Sequence, residues 1–312
     1  MSSAPPDGDG LEFVRRTPLV FAPPLDCWLK LESLQATGSF KLRGAALKLS
    51  RLRPEARARG VVAASAGNHG QGVALSASRL GIPSTVVVPT LCPAVKREAI
   101  ARYGAEVLVE GANYVAAEAV AKALARSRGV PFVSPFDDDD VIAGNGGWLG
   151  RELREQHARL RRVVVPVGGG GLCAGLLQAL PGVAIVGVQP RVNCAMHDSL
   201  AQGRALVEYE GGDTLCEGLE GAVAERTFAA ARAGGLEVVL VDEEETLAAI
   251  GFAYRALGLI VEPSAAVGLA AARAGRVETD GETVIVVTGG NIEPGLLERA
   301  LAVSDRSGTP RR

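Results

Sequence analysis

Hydrophobic residues along this chain cluster in short runs of four or five instead of alternating. Seven such runs, at 61–64, 84–88, 106–109, 163–167, 184–188, 238–241 and 283–287, are mostly Val, Ile, Leu and Ala. Runs of this length without alternation predict strands buried on both faces. Between them lie Ala-rich stretches whose apolar positions recur with helical spacing, at 71–80, 94–103, 114–126, 172–180, 243–257 and 265–274. Strands alternating with helices predict an α/β fold with open, mostly parallel sheets flanked by helices. No internal repeat interrupts the order. The run Asp137 to Asp140 reads as a solvated acidic loop.

A length of 312 residues is comfortable for two domains, and 47% hydrophobic residues can fill their cores. Aromatics supply only 4%, which suits close packing of helices on a sheet. The net charge of −2 gives no reason to expect nucleic acid or an anionic membrane as partner. The five cysteines, at 27, 92, 173, 194 and 216, are scattered and contain no C-x-x-C, so neither a disulfide framework nor a structural zinc site is expected. The first ten residues are polar and rich in Pro and Gly, and read as a disordered tail rather than a signal peptide. No apolar run approaches the ~20 residues a membrane-spanning helix needs. A cytoplasmic location follows as an expectation. About twenty residues follow Asn291, too few for an appended regulatory domain.

Candidate chemistry lies at three strand ends: Ser65 to Gly70, Gly168 to Gly171 and Thr288 to Asn291. In open α/β sheets ligands bind there, where loops and helix N-termini converge. Gly168-Gly169-Gly170-Gly171 falls between a strand and a helix, so its N–H groups and the helix dipole can cradle a phosphate. A plain turn is the bland alternative. A dinucleotide site is a rival, since Gly169-x-Gly171-x-x-Ala174 fits the fingerprint; but the next strand ends on neutral Gln189 where that reading wants an acidic residue. Lys41, in Ser39-Phe40-Lys41-Leu42-Arg43-Gly44, is either an ordinary surface lysine or a buried amine with lowered pKa, able to form a Schiff base and act as a base.

The segment around Lys41 resembles the cofactor-lysine motif of the threonine/serine dehydratases, in the tryptophan-synthase-β-like (fold type II) family of pyridoxal-phosphate (PLP) enzymes. The resemblance covers nearly the whole chain. Arg16-Thr17-Pro18-Leu19, Leu29-Lys30-Leu31-Glu32, Ser65-Ala66-Gly67-Asn68-His69-Gly70, Pro135-Phe136-Asp137-Asp138, Gly168 to Gly171, Glu262-Pro263 and Thr288-Gly289-Gly290-Asn291 follow in the family's order. It implies a large domain of residues 1–55 and 140–312, a small domain of residues 56–139, and an active site in the cleft between them. It implies that Lys41 carries PLP, that Asn68 meets the ring oxygen and that Gly168 to Gly171 hold the phosphate. Thr288 would meet the pyridine nitrogen. Ser65, Ala66, Gly67, Asn68 and His69 would receive the substrate carboxylate. His69 reads either as a base or as a structural group of that loop, and Glu262 either as a cofactor neighbour or as a helix cap.

The implied reaction is dehydration and deamination of a small β-hydroxy amino acid such as L-threonine or L-serine to a 2-oxo acid and ammonia, by a homodimer. Alternatives are β-replacement, racemisation or, in another class, NAD-dependent oxidoreduction. Serine racemases of the family carry a second serine where Ala66 stands, which disfavours racemisation. The divalent-metal site of some members is expected to be lost, because Gln189 to Ala195 contains no carboxylate. In Gly144-Asn145-Gly146-Gly147-Trp148 the usual Gln and Thr are missing, which predicts an altered substrate pocket. Glu217, before Gly218, has no assigned role.

Overall fold

The computed structural model describes residues 10–303. The N-terminal tail expected to be disordered falls almost wholly on residues 1–9, outside the described residues.

Among the described residues, nine strands form two sheets: β1 Leu19–Ala22, β2 Cys27–Leu31, β3 Val61–Ala64, β4 Ser84–Val88, β5 Glu106–Val109, β6 Arg162–Pro166, β7 Ala184–Pro190, β8 Glu237–Val241 and β9 Thr283–Val287. The six-stranded sheet has the order β1-β2-β9-β6-β7-β8, and the three-stranded sheet the order β3-β4-β5. Every pairing is parallel except that of edge strand β1 with β2. This is the α/β architecture with two mostly parallel sheets that the buried runs predict.

Why those runs carry no alternation is visible in the packing. In β6 and β9, Val163, Val165, Val284 and Val286 enter one core with Leu149, Leu153 and Leu176. Val164, Ile285 and Val287 enter the opposite core with Ile250, Val267 and Leu269. Each face therefore meets helices, and each fully buried aliphatic side chain contributes about 1.5–3 kcal/mol. The small sheet is treated likewise. Val61 and Ala63 pack with Ala45, Leu49 and Val73, and Val62 and Ala64 pack with Ala117 and Ala121. The helix Lys41–Ser50 thus contributes to the core of the three-stranded sheet.

Chain order reverses direction across the large sheet at β6, which has β7 on one side and β9 on the other. That is a topological switch point, and the crevice beyond its carboxyl end is where a ligand fits. The helix Asn68–Arg79 starts three residues before its periodic pattern, at the end of β3. At the rim, Lys96 of the helix Ala94–Ala101 reaches Glu217 at 2.7 Å and Glu293 at 3.3 Å.

The acidic run is not a merely solvated loop. Asp138 caps the helix Asp139–Ile142 and pairs with Lys48 at 2.7 Å, while Asp137 and Asp139 both pair with Arg226. All five cysteines are buried and free. No helix among the described residues is long and apolar enough to cross a membrane.

Candidate active site

Lys41 opens the helix Lys41–Ser50, and the residues before it are stitched to the end of β9. Ser39 forms an antiparallel bridge with Gly289, and the Phe40 N–H donates to the Thr288 carbonyl at 3.0 Å. The Lys41 Nζ donates to the Pro135 carbonyl at 3.0 Å. Burial lowers its pKa from 10.5 to about 8, with the Glu262 carboxylate opposing the shift. About a tenth of such an amine is unprotonated at pH 7, which suits a nucleophile and proton acceptor.

The next residue, Phe136, ties this amine to the glycine loop. A Cβ on Gly169 would lie 2.5 Å from the Phe136 ring, and one on Gly171 would lie 3.0 Å from Phe136 backbone. The loop follows β6 and leads into the helix Gly171–Ala179, with Gly170 at φ +89°. A Cβ on Gly170 would meet Met196 at 2.8 Å and Thr227 at 2.9 Å. Thr227 Oγ1 donates to the Gly169 carbonyl at 2.7 Å, which holds the loop from below. The N–H groups of Gly168, Gly169 and Gly170 donate to no acceptor among the described residues. Free donors at a helix N-terminus form an anion cradle.

A third group of residues surrounds Glu262. The Asn68 Nδ2 donates to both carboxylate oxygens of Glu262, at 2.8 and 2.9 Å, and Asn68 Oδ1 accepts from Asn291 at 2.7 Å. Burial raises the Glu262 carboxyl to about 7, against the pull of the Asn68 hydrogen bond. Glu262 also precedes the helix Pro263–Arg273, but its side chain makes no capping bond, so the cap reading fails. Gly289 must be small because a Cβ there would strike the Glu262 carboxylate.

In the loop after β3, Ser65 Oγ accepts from the Gly67 N–H at 3.1 Å, and the space beside Gly67 is open. Ser65, Ala66, Gly67 and Asn68 are half-buried, at the N-terminus of a twelve-residue helix. His69 differs. It is buried, its Nε2 lies 2.9 Å from the Val133 carbonyl, and burial together with Lys41 lowers its pKa to about 3. That leaves a neutral ring whose Nε2–H is held by a carbonyl, which suits a structural group and not a general base.

The segment 144–148 grips the lysine helix. Asn145, 1% exposed, accepts from the Gly44 N–H at 2.9 Å. Trp148 packs with Leu11, Val14, Leu42 and Ala46, its ring 5.6 Å from the Arg43 guanidinium. The Asn145 and Trp148 side chains are thus committed to packing around the Lys41 helix.

Sequence reasoning missed the charge network behind that helix. Arg43 is fully buried and donates to Glu32 at 2.7 and 2.8 Å and to Glu152 at 2.7 and 2.9 Å. Lys30, also fully buried, reaches Glu152 at 2.7 Å and the Thr17 carbonyl at 2.9 Å. Burial disfavours the Arg43 charge, but the two carboxylates outweigh it and raise its pKa. For Lys30 burial wins and its pKa falls. Four ionisable residues spread from position 30 to position 152 share no local spacing, so only the fold brings them together.

Comparison with known proteins agrees with this geometry. A family model described as pyridoxal-phosphate dependent enzyme matches residues 11–289. A catabolic L-threonine dehydratase from Staphylococcus aureus is 38% identical over 95% of this chain and 90% of its own. The solved structure of the processed threonine deaminase isoform 2 from Solanum lycopersicum superposes with a TM-score of 0.87 at 33% identity, covering 95% of this chain and 90% of that one. Maize serine racemase gives 0.86 at 30% identity, covering 94% and 93%. With a desolvated lysine joined through residues 135 and 136 to an anion cradle, the chain belongs to the family of pyridoxal-phosphate dependent enzymes.

Proposed function

We propose that this enzyme eliminates water from a small β-hydroxy amino acid, such as L-threonine or L-serine, and releases a 2-oxo acid and ammonia. The observation that carries the reading is the Lys41 amine, desolvated and 3.0 Å from the Pro135 carbonyl, with Phe136 packed against the free-donor loop of Gly168 to Gly171. The residues fit PLP: an amine for its aldehyde and unpaired N–H groups at a helix N-terminus for its phosphate. When bound, the cofactor supplies an electron sink for the charge that develops at the substrate Cα.

Lys41 accepts the Cα proton. Gly168 to Gly171 hold the phosphate, and Thr288, buried at the end of β9, is the hydroxyl we assign to the pyridine nitrogen. Ser65 to Asn68 offer donors and a helix N-terminus to the substrate carboxylate. Glu262, Asn68 and Asn291 form a fixed hydrogen-bonded set on the cofactor side. The Cα–H and Cβ–O bonds break, water departs, and the resulting enamine takes water back to yield ammonia and the 2-oxo acid. We take the two sheets as cores of a large domain (1–55 and 140–312) and a small domain (56–139), with the site in the cleft and the helix Lys41–Ser50 packing both on the core of the small sheet, through Ala45 and Leu49, and on Trp148, through Leu42 and Ala46. The reading carries with it a homodimer in the cytoplasm, the dimer being checked by light scattering.

The dinucleotide alternative loses its support at Gln189. Its Nε2 donates to the Val167 carbonyl at 3.0 Å and its Oε1 accepts from the His197 N–H at 2.9 Å, and the side chain is fully buried, so it is not presented to a ribose. Racemisation requires a proton donor on the face opposite Lys41, and Ala66 has only a methyl group. With L-serine, chiral chromatography should show pyruvate and ammonia with little D-serine, and Ala66→Ser should raise the racemised fraction. D-serine forming as fast as pyruvate in the unmodified enzyme would overturn the assignment.

A further inference from the structure

At the carboxyl end of β7, the strand beside the one that feeds the glycine loop, a sulfur, a nitrogen and an oxygen converge. Cys194 Sγ, His197 Nδ1 and an Asp198 carboxylate oxygen all lie within 4.8 Å of one another. His197 Nδ1 and Asp198 Oδ1 are 3.0 Å apart, and the Tyr209 hydroxyl sits 3.2 Å from Asp198 Oδ2 and 3.5 Å from Cys194 Sγ. Beside them, the buried Asn193 Oδ1 has no hydrogen-bond partner.

We propose that Cys194, His197 and Asp198 bind one divalent cation of the zinc class, with the Tyr209 hydroxyl at its edge, at a site separate from Lys41. Tetrahedral zinc with bonds of 2.0–2.3 Å sets its donors ~3.5 Å apart, so donors within 4.8 Å of one another need approach by only about 1 Å to close the site. A thiolate, an imidazole and a carboxylate together select a borderline-soft ion over magnesium, which wants six oxygens. The positive end of the helix Ala195–Gln202 opposes a cation with roughly half a charge, but thiolate and carboxylate bring two negative charges. The nearby cation Arg191 is paired with Asp242 at 2.9 Å. The expectation of no metal in this region rested on residues 189–195. Asp198 lies three residues beyond that stretch, in the first turn of the helix Ala195–Gln202.

Occupancy would steady the cofactor's phosphate loop. The His197 N–H holds Gln189, whose amide holds the Val167 carbonyl just before Gly168, and Met196 packs beneath Gly170. A bound cation fixing this turn therefore stabilises the folded chain by mass action, without entering the reaction.

The test uses the PLP-loaded protein, freed of metal by chelator and dialysed against zinc. Elemental analysis should find one equivalent per chain, displaced by no comparable concentration of magnesium. The melting temperature should rise with zinc concentration. His197→Gln and Asp198→Asn, both at half-exposed positions that tolerate change, should each weaken uptake at least about tenfold and abolish the thermal shift. Cys194→Ser should do the same where it folds. No stoichiometric uptake, or uptake unchanged in His197→Gln and Asp198→Asn, overturns the proposal.

Discussion

Replacing Arg43 by Met tests whether the buried charges behind the lysine helix hold the site together. Arg43 is two residues from Lys41, and its guanidinium supplies four short bonds to Glu32 and Glu152. Met fills much of the same volume without a charge, so the loss is mainly electrostatic. Glu32 would keep only the Thr17 hydroxyl, and Glu152 only Lys30. Breaking a buried pair by removing one partner costs about 3–5 kcal/mol, because the charges left behind stay desolvated. With an unfolding entropy of about 2.1 cal/mol/K per residue, a chain of 312 residues would melt roughly 5–8 °C lower. Denaturant titration followed by circular dichroism gives the magnitude. Arg43→Met combined with Glu32→Met should be less destabilised than the sum of its single variants, since the orphaned charge is removed with its partner. A cost below about 1 kcal/mol for Arg43→Met would refute the reasoning, because a network worth that little behaves like a solvated surface pair.

Two further outcomes follow from the site. An ordinary Glu carboxyl loses its proton near pH 4.5 and Glu262 near 7, so between these values the native chain holds a proton that the unfolded chain has released. Its contribution to stability is full below 4.5 and lost as pH rises through 7, an effect on the order of 3 kcal/mol. Glu262→Gln should flatten this slope in cofactor-free protein, read by melting at pH 5 and pH 8. Gly170→Ala meets both a left-handed backbone and the Met196 and Thr227 side chains, and should lower stability by roughly 1–3 kcal/mol as well as weaken PLP binding. A variant unchanged in both melting and PLP titration would show that the loop tolerates a side chain.

The strands that cross the two cores were legible because burial on both faces leaves no polar positions to blur the pattern. β1 and β2 were not. β1 is an edge strand with Val20 and Phe21 exposed, and β2 carries Lys30, a charge made tolerable inside by Glu152 and Gln156, more than a hundred residues away, and by the Thr17 carbonyl. The start of the lysine helix was hidden because Phe40 precedes it and no side chain caps it. The glycine loop was legible as an anion cradle. What the residues alone did not show is that Gly169 and Gly170 must be small because Phe136, Met196 and Thr227 press against them. The Glu262–Asn68 pair spans 194 positions and leaves no local signal. His69 drew attention as a base through its residue type alone, and its burial against the Val133 carbonyl argues against that role.

Reduction of the PLP-loaded enzyme with borohydride, followed by peptide mapping, tests the central assignment most directly. The yellow chromophore should bleach and one pyridoxyl group should appear on Lys41, with Lys41→Ala taking up none and turning over no substrate. A pyridoxyl group on Lys30, Lys48, Lys96 or Lys122 would contradict the account.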